Sequence, residues 1–455
     1  MKRIVKKPRR KAMNNKIKAA VEKHAQLILN AERYIWRNPE TGYREVKTTA
    51  YLKEKYEELG YELTMAEGIT GFYTTIDTGK PGPTLLILSE LDSVICPSHP
   101  EADPVTGAVH SCGHHAQCAA LLGVAAALKE EGMLDGLSGK IKLCAVPAEE
   151  LLEIGFRSEL REKGVIKYLG GKSEFAYRGY FDDVDLAFMV HTAKKYTSLL
   201  GSVGCIAKTV IYKGKAAHAG GSPWNGINAI YAATQGLTAV NAIRETFKDR
   251  DCIRFHPIIT EGGAMVNAIP ESAKIETYVR GMTFDAITDA NKRINRALIG
   301  AALSLGANVE VLDLPGYAPL KNSTAMLDMA KAAYEDMFDG ESFNIGHEFS
   351  TGSTDMGDLS AFMPVIHPYS GGAKGTSHGA DYYIEDAYEA CVKCAMWQIK
   401  MLRALLENGA ELAKKIVSEY EAPFGSVKEF LEYQESIVSS GDRIVYTEDK
   451  AEVRL

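Results

Sequence analysis

The stretch His110-Ser111-Cys112-Gly113-His114-His115-Ala116-Gln117 follows a loop and opens an apolar helical run. A thiol and up to three imidazoles are thus crowded where a strand edge passes into a helix start. Gly113 lets the backbone bend so that Cys112 and His114, two apart, can face one point, as metal donors do. Taken alone, Cys-x-His is also ordinary loop chemistry. Further along, Ala148-Glu149-Glu150, Val190-His191-Thr192 and Ser377-His378-Gly379 each fall at the end of a buried-strand pattern or in a glycine-rich loop.

Around this turn the pattern is that of an α/β chain. Pro83 to Leu88 is almost wholly apolar, as a strand buried on both faces should be, and ends in Ser89-Glu90-Leu91-Asp92. Lys140 to Val146 and Asp185 to Val190 are further strands, delivering Glu149-Glu150 and His191. Polar residues at the carboxyl ends of buried strands mark the rim where open α/β sheets bind ligands. Helices are expected from Asn15 to Ile35, Thr48 to Leu59 and Ala116 to Glu131. The whole predicts an α/β/α domain with a mixed sheet.

Past Gly204 the character changes. Strand 205–213, helix 224–247, strands 252–261 and 271–281, helix 285–305 and strand 307–314 follow the β-α-β-β-α-β order of a ferredoxin-like α+β unit. The expected organisation is a basic tail at 1–12, a discontinuous catalytic domain at 13–204 and 316–455, and an inserted domain at 205–315. Helices resume at 323–338 and 384–407, and the last forty or so residues read as a peripheral helix and a fraying end.

Composition narrows the class. The 455 residues are 46% apolar and 24% charged, which is a globular balance and too long for one core. A net charge of −7 argues against nucleic acid as the main partner, despite the basic run within Met1 to Lys11. No apolar segment follows that run, and no stretch reaches a membrane span, so a cytoplasmic protein without a membrane partner is expected. The eight cysteines are scattered, as reduced thiols are, and Cys391-Val392-Lys393-Cys394 reads as helix packing.

Hydrolysing an amide at neutral pH needs an activated water, which a divalent metal provides. Two metals can share it across a bridging ligand; a thiolate such as Cys112 or a carboxylate qualifies. On an extended or turning backbone Glu149 and Glu150 diverge, so one can bind metal while the other faces the water as general base. Each candidate seen singly has a plainer reading, Glu149-Glu150 as a solvated pair, His191 as a core histidine, His378 as loop. Their convergence on one predicted rim favours the site.

These residues resemble the dinuclear metallo-amidohydrolases of the aminoacylase and carboxypeptidase superfamily, in the branch with hippurate, auxin-conjugate and aminobenzoyl-glutamate hydrolases. The likeness runs from Trp36-Arg37-Asn38-Pro39-Glu40-Thr41-Gly42 to His378. It takes in Pro147-Ala148-Glu149-Glu150, Gly214-Lys215-Ala216-Ala217-His218-Ala219, Asn267-Ala268-Ile269-Pro270, Arg280 and Ser353-Thr354-Asp355-Met356-Gly357-Asp358. The resemblance implies Cys112, His114, Glu150, His191 and His378 as metal ligands, with His114 and His191 on one metal, Glu150 and His378 on the other, and Cys112 between. It implies Glu149 as base and His218 as the oxyanion group reaching across a homodimer formed by the inserted lid domain. Asn267 and Arg280 would hold the free carboxylate of a small amide substrate. The implied cofactors are two divalent ions per chain, zinc or manganese before cobalt or nickel, and the implied reaction is cleavage of an N-acyl amino acid, aminobenzoyl-glutamate-like or dipeptide amide. His115 stands where the family has Asp or Asn, which bears on metal preference. The rival readings are a metal-free binding or regulatory protein of the same fold and an amidase with Cys112 as nucleophile.

Overall fold

The computed structural model describes the backbone of residues 6–455 and the side chains of residues 11–455. Helices α1 (Lys6–Glu22), α2 (Ala25–Trp36) and α3 (Val46–Glu58) lead into strands β1 (Phe72–Asp77) and β2 (Thr84–Glu90). Helix α4 (His114–Leu128), strand β3 (Lys140–Val146), helices α5 (Ile154–Glu162) and α6 (Gly171–Tyr177) and strand β4 (Leu186–Phe188) follow. Then come β5 (Gly204–Lys213), α7 (Ala229–Ile243), β6 (Ile258–Glu261), β7 (Ser272–Gly281), α8 (Phe284–Ser304) and β8 (Asn308–Pro315). Helix α9 (Thr324–Met337), strand β9 (Val365–Ile366), α10 (Cys394–Leu406) and α11 (Val427–Ile437) complete the run.

The chain divides into two compact units. One comprises 1–201, 321–349 and 358–427, the other 202–320, 350–357 and 428–455. In the first, the sheet runs β1-β3-β2-β4-β9, with Thr64–Met65 beyond β1. Strand β1 is antiparallel to β3, while β3, β2, β4 and β9 are mutually parallel. Every residue of β2 is buried, which its unbroken apolar run requires. Glu90 pairs in register with Val146, so the segments leaving β2 and β3 emerge together at one rim. Helix α4 is buried along its whole length.

The second unit has the sheet order β6-β7-β5-β8, antiparallel throughout, with Arg254–Phe255 also on β7. Alternate residues of β7 are buried, and α7 and α8 lie on that face, so the β-α-β-β-α-β order expected from the sequence is present.

Several expectations are corrected. The first helix begins at Lys6, within the run assigned to a basic tail at 1–12, whose residues 1–5 lie outside the described residues. It breaks at Lys23 and His24, whose side chains both turn to Glu130, at 2.8 Å each. Residues 350–357 and 428–455 group with the second unit, where 316–455 was assigned to the catalytic domain. The reason is local pairing: Ser439 and Asp313 exchange backbone hydrogen bonds of 2.8 and 3.1 Å, and Arg443 N–H donates to Val309, so the segment borders β8 instead of fraying. Cys391 lies in a π-helical turn, Tyr388–Lys393, that runs into α10.

Candidate metal centre

Gly113 caps α4 with φ of 97°, in the left-handed region, and a Cβ there would meet the Tyr382 hydroxyl at 2.4 Å. Only glycine suits that position. The bend leaves Cys112 just before the helix and His114 in its first turn. Cys112 Sγ lies 3.4 Å from His191 Nε2. His378, in its glycine-rich loop at φ of 63°, donates its backbone N–H to Ser111 O at 2.8 Å, and its Nε2 lies 3.0 Å from Glu150 Oε1. Among the described residues, three groups bring donor atoms within 4.8 Å of one another: Cys112, His114 and His191; Cys112, Glu150 and His378; and Glu90, His114 and Glu149. Cys112 belongs to the first two, and His114 links the first to the third.

The turn that carries Glu149 and Glu150 is held from several sides. Ala148 takes a φ of 57°, and its N–H donates to the buried Glu45 carboxylate at 2.8 Å. Arg157, itself buried, donates to the carbonyls of Leu169 (2.7 Å), Ala148 (3.3 Å) and Glu150. A Cβ on Gly171 would stand 1.7 Å from Pro147 O, so α6 closes the same turn from outside. The two carboxylates diverge: Glu150 faces His378, and Glu149 Oε2 lies 3.9 Å from His114 Nε2.

The electrostatics form a matched set. Burial and Glu150 push the Cys112 thiol up, but His114 and His191 outweigh them and bring it down to about 6. Burial would raise the Glu150 carboxyl, yet the His378 imidazole 3.0 Å away holds it at about 2. His378 in turn is pushed up to about 11 by the neighbouring Cys112 and Glu150. A thiolate and a carboxylate interleaved with imidazoles is the donor chemistry that divalent transition metals take. His114 Nε2 is fully buried and makes no hydrogen bond, as expected of an atom reserved for a metal. The residues present therefore fit a metal pair.

The remaining candidates lie in the second unit. His218 is exposed; its Nδ1 accepts from Gly221 N–H at 2.8 Å, and its backbone bridges to Ala268, beside Asn267. Arg280, one residue before the end of β7, donates to Ser353 Oγ at 2.7 Å. His115 belongs to none of the three donor groups, with Nε2 3.3 Å from Glu32 and its ring against Trp36. The task of orienting His114 falls to Asp92, whose Oδ1 is 3.1 Å from His114 Nδ1. Sequence reasoning passed over Lys172, Gln117, Arg157 and Glu45. None of these left a local signal, whereas Asp92 lies in Ser89-Glu90-Leu91-Asp92, polar residues closing a buried strand.

A cluster of Cys, His and Glu donors at the rim of a mixed sheet is the centre of a metallohydrolase-type fold. The chain belongs to peptidase family M20/M25/M40, which it matches over residues 86–404. It is 30% identical over 292 residues to the human Xaa-Arg dipeptidase, covering 62% of each chain. To the indole-3-acetyl-aspartic acid hydrolase of Enterobacter agglomerans it is 28% identical, over 60% of this chain and 70% of that protein. A solved Bacillus subtilis protein described as a dinuclear metal-binding peptidase of the M20 family superposes with a TM-score of 0.63 at 20% identity, over 85% of this chain and 99% of that one. These relatives are peptidases and amidohydrolases, which cleave C–N bonds.

Proposed function

We propose that this chain is a metal-dependent amidohydrolase that cleaves the amide bond of an N-acyl amino acid, aminobenzoyl-glutamate-like or dipeptide substrate. The observation that carries the reading is the Cys112 thiol shared between a His114–His191 pair and a Glu150–His378 pair, with Glu149 beside them and separately directed. In this reading Cys112, His114, Glu150, His191 and His378 hold two divalent ions, for which thiolate and imidazole donors favour zinc, with manganese, cobalt or nickel as alternatives.

When bound, the ions lower the pKa of a water and polarise the substrate carbonyl. Glu149 takes the proton of the attacking water and returns it to the leaving amine. It stands on a turn clamped by Arg157 and Glu45, directed to His114 and away from Glu150's partner His378. His218 would meet the oxyanion, reaching from the other subunit of a homodimer, and Asn267 with Arg280 would hold the substrate's free carboxylate. The planar fork of Arg suits that last task. Cytoplasmic location belongs to the same proposal; among the described residues no helix is long and apolar enough to cross a membrane.

The test is Glu149→Gln. Turnover of a panel of N-acyl amino acids, aminobenzoyl-glutamate and dipeptides should fall by about 10²–10⁴-fold while metal content stays unchanged. Undiminished turnover would overturn the role of Glu149, and a wild-type chain that takes up no metal would overturn the reading itself.

A further inference from the structure

In the third cluster, Glu90 with His114 and Glu149, the mechanism above gives Glu90 no part. Glu90 is the last residue of β2, fully buried at the same rim. Its Oε2 lies 3.3 Å from His114 Nε2. The aim of that nitrogen is fixed, because His114 Nδ1 is tied to both the backbone carbonyl (3.0 Å) and the carboxylate (3.1 Å) of Asp92. His114 Nε2 and Glu90 Oε2 therefore look at a common point, and the nitrogen has no hydrogen-bond partner.

The spacing is informative. Two donors at metal–ligand distances of about 2.0–2.2 Å, separated by a near-tetrahedral angle, stand roughly 3.3 Å apart. Glu90 and His114 show that separation, and Cys112 and His191 show 3.4 Å, slightly longer as the larger sulfur demands. The other contacts of Glu90 leave it able to ligate. Lys172, also fully buried, lies 2.5 Å from Oε1, on the far side of the carboxylate. Gln117 Nε2 donates to Oε2 at 3.0 Å, taking one of two lone pairs. Without Lys172 a buried, ionised Glu90 would carry a large desolvation cost; with it the carboxylate is charged in advance of any cation.

We propose that Glu90 is a sixth protein ligand of the metal centre, donating Oε2 to the cation held by His114, with Lys172 fixing its charge and direction. This rests on the metal-centre reading given above. The test uses the full chain stripped with chelator and titrated with Zn²⁺ and, separately, Co²⁺, in the wild type, Glu90→Gln and the pair Glu90→Gln/Lys172→Met. The paired variant removes both buried charges, so that a folding defect caused by an orphaned lysine is separated from loss of a ligand. The expected result is that wild type binds about two equivalents, while both variants bind one of them at least about tenfold more weakly. The Co²⁺ d–d absorption should also shift in the variants, as it does when a carboxylate leaves the ligand set. A paired variant with wild-type affinity at both sites and an unchanged Co²⁺ spectrum would overturn the assignment and leave Glu90 as the partner of Lys172. A wild type that binds neither ion would overturn the metal reading along with it.

Discussion

Asp92 Oδ1 lies 3.1 Å from His114 Nδ1, while Asp92 Oδ2 accepts the Glu150 N–H at 2.8 Å. One carboxylate thus aligns a residue of each of the two Cys112 clusters. An amide in its place has only one oxygen, so its NH₂ would face either an N–H of Glu150 or an N–H of His114. Asp92→Asn is expected to weaken metal binding by about 10–100-fold, measured by competition with a chelator of known affinity. Unchanged affinity would remove Asp92 from the orienting role.

Arg157 donates to three carbonyls around the turn that carries Glu149 and Glu150. Arg157→Leu leaves those carbonyls unsatisfied in a buried site, and the expected cost is about 3 kcal/mol, read as a lowered urea midpoint with the slope unchanged. Arg157→Lys should recover little of it, since one ammonium does not span the same three positions.

The fully buried Glu45 carboxyl is pushed up to about 8, first by burial and then by the charge of Asp92. Its folded-state value lies above the ordinary 4.5, so the folded chain keeps a proton that the unfolded chain releases. The stability this contributes is complete below the ordinary value and is lost as pH rises through the folded one, at up to about 1.4 kcal/mol per pH unit. Glu45→Gln should flatten the fall in stability between about pH 5 and pH 8, seen in urea unfolding of chelator-treated protein. Parallel curves for the two proteins would contradict it.

In the second unit, among the described residues, β6 pairs on one side only and is exposed along its length, with Ile258 at 55% and Ile259 at 46%. On α7, Tyr231 is 67% exposed. An apolar edge strand left open is an invitation to pair with another chain. If this face forms the proposed homodimer, Ile259→Lys should shift the mass found by light scattering from dimer to monomer. A monomeric wild type would sink the dimer.

The strand-and-helix alternation and the β-α-β-β-α-β order were legible in the linear chain, and Cys112, His114, Glu150, His191 and His378, expected there as donors, do come together in the fold. The cause is that burial on both faces of a strand, a glycine at a left-handed turn and polar residues at a strand's end each leave a local mark. The C-terminal segment misled because pairing along β8 depends on a partner far away in the chain, and weak periodicity there looked like fraying. Tertiary structure alone decided which charges meet. Glu90 and Lys172 are 82 residues apart, Glu45 and Ala148 are 103 apart, and nothing in either neighbourhood names the other. It also decided that Glu150 turns to His378 and Glu149 to His114, and that His115 turns to Glu32. A buried charge is tolerable only with its partner in place, and such partnership belongs to the packed molecule.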